Sequence, residues 1–128
     1  MIVAHDATPQ YVLMDEFRRI GPCVLGEIEY SPIYGFSDKE PYDIFCTNSE
    51  LVLTPYPLVK AYLRFQANTS DNELKMVVIN ATGPRDPCLH AATISAVLES
   101  QEKQMAQVAL AYRLVFDRQA EAYSVEMM

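Results

Sequence analysis

The sequence predicts a single α+β domain over residues 1–128, an antiparallel sheet of four to six strands with an N-terminal helix and a long C-terminal helix. Three observations predict it. Within residues 8–20, Leu13, Phe17 and Ile20 fall at i, i+4 and i+7, the spacing of one helix face. The middle of the chain holds short apolar runs separated by turn residues, the pattern of strands joined by tight connections. From Leu89 to the C-terminus there is no Gly and no Pro, although the chain has 4 and 8 of them, so nothing there breaks a helix.

Each element has its own local signal. Thr8 is a suitable N-cap, Pro9 a suitable first helical residue, and Gly21-Pro22 a stop, which frames the first helix. Val24, Leu25, Ile28 and Tyr30 then read as a strand bulged at Gly26, followed by a turn-rich stretch over residues 31–41. Residues 42–46 and 51–54 read as a hairpin turning at Thr47-Asn48-Ser49-Glu50. Val59, Ala61, Leu63 and Phe65 alternate along a further strand, joined by a polar turn at residues 68–72 to the strand at residues 74–79. Asp86-Pro87 can start the last helix, along which Ile94, Leu98, Gln101, Met105, Val108, Tyr112 and Val115, mostly apolar, recur every three or four residues. Val108, Leu110, Tyr112, Leu114 and Phe116 also alternate with period two. The alternative is therefore a C-terminal helix followed by a final hairpin over residues 107–125.

Composition narrows the function. With 17 Asp+Glu against 10 Lys+Arg, the formal charge is −7, which opposes binding to nucleic acid or to an anionic membrane. No run approaches the roughly 18 apolar residues of a membrane span, and Met1 to Asp6 lack the pattern of a secretory signal. Cys23, Cys46 and Cys88 form neither a disulfide framework nor a zinc or redox spacing. The expectation is a cytoplasmic protein without a metal or cofactor.

Two kinds of site are legible. Cys88 and His90 are the candidate catalytic pair, because a thiol in the first turn of a helix feels the positive end of the helix dipole; His5 is the other available base. Glu27 and Glu29 share a strand face and could act as paired carboxylates. Tyrosine is over-used, 8 against no Trp, and Tyr30, Ile33, Tyr34, Phe36 and Tyr62 form the candidate surface for a ligand or partner. Leu110 and Leu114 make a second apolar stripe on the expected C-terminal helix, the candidate seam of a homo-oligomer. The first expectation is thus a non-enzymatic binding or assembly module holding a protein partner or an apolar small ligand. The alternative is a small enzyme or thiol sensor using Cys88 with His90 or His5.

Overall fold

The run Met76-Val77-Val78-Ile79 is buried on both of its sides, as happens to a strand inside a sheet covered above and below. The computed structural model describes residues 4–25, 30–68 and 74–128. In chain order it contains β1 (His5–Ala7), β2 (Tyr11–Asp15), β3 (Arg18–Arg19), β4 (Tyr30–Phe36), α1 (Lys39–Thr47), β5 (Thr54–Pro57), α2 (Lys60–Asn68), β6 (Leu74–Ile79), β7 (Cys88–Thr93), α3 (Ile94–Glu102), β8 (Gln107–Ala109), β9 (Tyr112–Asp117) and β10 (Ala122–Met127). This is an α+β protein with three helices and one large mixed sheet of eight strands among the described residues. The sheet runs β10-β9-β7-β6-β4-β2-β3, with β5 also paired to β2; β1 and β8 pair separately. β4 and β6 are parallel, from Tyr30↔Leu74 to Gly35↔Ile79. A parallel pair needs a long crossover, and here it carries α1, β5 and α2.

Two cores result, one on each face. Met76 and Val78 join Leu13, Tyr34, Phe36, Leu114 and Tyr123 under Phe45 of α1. Val77 and Ile79 join Val12 and Ile33 under Leu63 of α2 and Ile94 and Val97 of α3. Alternation along β6 therefore feeds both faces, as period two requires. Among the described residues no helix is long and apolar enough to cross a membrane.

This architecture overturns the expected N-terminal helix, long C-terminal helix and purely antiparallel sheet. Residues 11–19 form a hairpin, with Met14 opposite Arg19 and the two-residue loop Glu16-Phe17 between. The Ile20 amide donates to the Leu13 carbonyl at 3.0 Å, so a separation of seven brings two apolar residues together across a hairpin as well as along a helix. Phe17, the middle member of the supposed stripe, stands 95% exposed at the tip. Thr8 caps no helix; its buried hydroxyl donates to the Met105 carbonyl at 2.8 Å and bonds Ser100 Oγ at 2.5 Å.

The central assignments change for a related reason. Tyr42, Phe45 and Cys46 lie at i, i+3 and i+4 on α1 and pack on one core, so burial of a helical face overrides the strand preference of Tyr, Ile and Phe. In α2 the side chains turned inward are Tyr62, Leu63 and Gln66, whereas Val59 before it and Phe65 within it are largely exposed. Alternation over eight residues thus coincided with a stripe of period 3.6. Residues 31–36 belong to β4 rather than to a loop: the Tyr34 amide donates to Ile20, so Pro32 turns its missing N–H to the same side, where Gly21 runs against its carbonyl. Residues 74–79 are a strand, but its neighbours are β4 and β7.

Asp86-Pro87 starts no helix either. The Asp86 carboxylate accepts from the Thr82 amide at 2.7 Å and the Thr82 hydroxyl at 2.6 Å, closing the turn into β7. The helix begins later, with Thr93 Oγ1 accepting from the Ala96 amide at 3.1 Å. It ends at Glu102, where the chain turns away through Gln104 in the left-handed region, φ 53°, while the buried Gln101 side-chain amide donates to the carbonyls of Pro9 at 3.0 Å and Leu58 at 3.1 Å. Beyond it, Tyr112, Leu114 and Phe116 alternate onto the core as strand β9, which turns back as β10. Of the strand expected from Cys23 onward, Val24 makes one parallel bridge to Tyr123; residues 26–29, like most of the turn at residues 68–72, lie outside the described residues.

Candidate aromatic cavity

The segment following β3 travels from β4 to β10. The Ile20 carbonyl accepts from the Tyr34 amide at 3.0 Å, the Cys23 carbonyl accepts from the Tyr123 amide at 2.8 Å, and the Leu25 amide donates to the Tyr123 carbonyl at 2.7 Å. Beneath it lies a cavity of about 310 Å³, within the range of small-molecule sites. Ile20, Pro22 and Cys23 form one wall; Tyr34 of β4, Phe45 of α1, Phe116 of β9 and Tyr123 of β10 supply the rings. Ser49, Leu51 and Pro84 complete the lining, with Arg18, Arg19 and Glu121 as its charged members. Ser49, Leu51 and Pro84 also border a wider trough of about 690 Å³ between residues 48–51 and 82–86.

The rings are held as two pairs. Tyr34 and Phe45 are 4.6 Å apart between centroids and tilted by 51°, and Phe116 and Tyr123 are 5.1 Å apart and tilted by 58°. These inclined geometries suit the ring quadrupoles. The two phenols differ in their bonding. The Tyr123 hydroxyl donates to the Asp86 carbonyl at 2.7 Å, whereas the Tyr34 hydroxyl has no hydrogen-bond partner among the described residues. Tyr34 is only 3% exposed. Burial raises the Tyr34 phenol far above its usual range, with Tyr123 and Asp86 adding to the effect. Burial, then Asp86 and Cys88, push Tyr123 up to about 12. Both groups are neutral hydrogen-bonding phenols at physiological pH. The Tyr34 side chain is buried, yet its hydroxyl is not among the buried polar atoms that lack a partner, a position held among the described residues by Arg19 Nε; the oxygen therefore faces the cavity and is free to bond whatever enters it.

Of the residues read from the sequence as a binding surface, Tyr34 lines this cavity. Ile33 and Phe36 are interior side chains of β4 at 8% and 0% exposure and offer no surface to a partner; the Tyr30 side chain lies outside the description. Tyr62 sits on the opposite face of the sheet, with the Arg19 guanidinium carbon 3.6 Å above its ring. Cys88 is in a strand, not in the first turn of a helix, so no helix dipole acts on it. The strand does bring Cys88 and His90 to one face at i, i+2, with Arg113 opposite His90. His5 is in β1 beside Ala109, away from Cys88. Glu27 and Glu29 lie outside the described residues. Leu110 packs on one core and fully buried Leu114 belongs to the other. Both leucines thus pack within the chain, in the two cores on either side of the sheet.

Phe45, Phe116, Tyr123 and the segment over residues 20–23 were not legible as a site. They come from separate parts of the chain and share no spacing; the surplus of tyrosine was the only signal. No protein-family model matches the chain, and no curated protein or solved structure matches it at a significant level.

Proposed function

We propose that the protein is a non-enzymatic binding module that holds a small, largely apolar molecule in the cavity between the segment over residues 20–23 and the rings of Tyr34, Phe45, Phe116 and Tyr123. One observation carries the reading: a phenol that is 3% exposed, has no partner among the described residues, and lines an aromatic cavity. Ligand sites combine apolar walls with a few convergent polar groups, and the cavity has both. Ligand-observed NMR with a set of small aromatic compounds tests it. Wild type should bind members of the set at millimolar concentration or better. Leu51→Trp, which sets an indole over the cavity, should abolish the signal, and Val52→Trp, at an exposed neighbour outside the lining, should leave it. A wild type that binds nothing, or a Leu51→Trp variant that binds as well as wild type, would overturn the proposal.

A second reading, a thiol sensor, rests on Cys88 and His90 sharing one face of β7 with Arg113 alongside. It requires Cys88 to react with a thiol probe faster than the other exposed thiol, Cys23; equal rates remove it.

A further inference from the structure

We infer that the cavity selects an uncharged aromatic ring carrying one hydrogen-bond acceptor that meets the Tyr34 hydroxyl, as in an aryl amide. The inference rests on the cavity being a ligand site and adds the class of molecule. Its innermost groups are all uncharged: the tilted pairs Tyr34 with Phe45 and Phe116 with Tyr123 offer faces and edges against which a flat ring packs. An ion placed among them would shed its water and gain no counter-charge. The charged residues bordering the cavity are Arg18, Arg19 and Glu121; Arg18 and Glu121 are of opposite sign and both exposed. Arg18 also has Asp15 at 3.9 Å. The guanidinium of Arg19 lies over the ring of Tyr62 on the other face of the sheet, with its Nε buried and without a hydrogen-bond partner among the described residues. With the Arg19 guanidinium drawn to the other face, the two charges left at the mouth of the cavity, Arg18 and Glu121, offset one another.

The Tyr34 hydroxyl adds the polar requirement. Burial keeps it protonated well into the alkaline range, so it has a proton to donate and, among the described residues, no acceptor to give it to. A ring bearing a carbonyl oxygen satisfies that donor while the rest of the ligand stays in contact with the aromatic walls. A bare hydrocarbon fills the same volume and leaves the phenol unsatisfied, which costs affinity.

Four ring compounds of similar size separate the possibilities: benzamide, toluene, benzoate and benzyltrimethylammonium, titrated by NMR into wild type and Tyr34→Phe. Benzamide should bind most tightly to wild type and lose about five- to tenfold in affinity to Tyr34→Phe, the loss of one neutral hydrogen bond, while toluene binds both proteins alike. Since the substituted hydroxyl makes no hydrogen bond among the described residues, the variant should melt close to wild type near neutral pH. Equal binding of benzamide and toluene to wild type overturns the acceptor requirement even without the variant. Tighter binding of benzoate or of benzyltrimethylammonium overturns the requirement for an uncharged ligand. In those cases the cavity remains a ligand site. If none of the four binds and Leu51→Trp changes nothing, the functional reading fails together with this one.

Discussion

Gly21 shows how much one residue contributes to the site. Its backbone runs against the carbonyl of Pro32, and a Cβ at this position would overlap that backbone oxygen. The contact belongs to main chain on both sides, so it cannot be relieved by turning a side chain. Gly21→Ala should therefore destabilise the protein by roughly 1–3 kcal/mol, the range of overpacking effects, measured by urea unfolding. A change below about 0.5 kcal/mol, the range of ordinary surface sites, would show that the segment does not approach β4 as described. Because Ile20, Pro22 and Cys23 line the cavity, the same substitution should also weaken binding of any ligand taken up there. In the sequence, Gly21-Pro22 read as a helix stop. The glycine is needed, but for a close approach to a strand remote in the chain, which no local pattern records.

At the scale of elements, α2 tests the difference between the two periodicities most directly. A strand over residues 59–66 would turn Leu63 and Phe65 to the same face, whereas the helix buries Leu63 completely and leaves Phe65 68% exposed. Leu63→Ala should cost about 2–5 kcal/mol and Phe65→Ala clearly less, each measured by denaturant unfolding. Similar large losses from both would favour the strand. Eight residues are too few to separate period 2 from period 3.6 when apolar side chains occupy most positions. Such segments are assigned by what they pack against: α2 lies against α3 and the core formed by Val77 and Ile79. Residues 74–79 were legible because β-branched side chains apolar on both faces suit a central strand. The helices α1 and α3 were read as a strand and as part of a longer helix, since neither carries a local signal strong enough to overrule its neighbours.

For the whole molecule, the two buried phenols make a prediction about alkali. A tyrosine with a raised pKa in the folded state contributes no pH dependence below the unfolded value near 10, where both states are protonated. Above it the unfolded chain ionises while Tyr34 and Tyr123 stay neutral, so the native state binds more protons and stability falls as pH rises. Stability should decline between about pH 10 and 12, by up to about 1.4 kcal/mol per pH unit for each phenol. The slope should be shallower in Tyr34→Phe, as seen by urea unfolding at successive pH values. A slope in that variant equal to wild type would mean that Tyr34 ionises as freely in the folded protein as in the unfolded chain. What the sequence alone determined is the part that depends on composition and on strong local pattern: an acidic chain, apolar enough for a core, mixing helix and strand, with residues 74–79 as a strand and tyrosine as its unusual side chain. The tertiary structure decided the rest. The parallel pairing of β4 with β6, the hairpin over residues 11–19, and the cavity of Tyr34, Phe45, Phe116 and Tyr123 each join segments distant in the chain or choose between two local periods. That choice turns on which faces can be buried together, an energy that exists only once the distant segments have met.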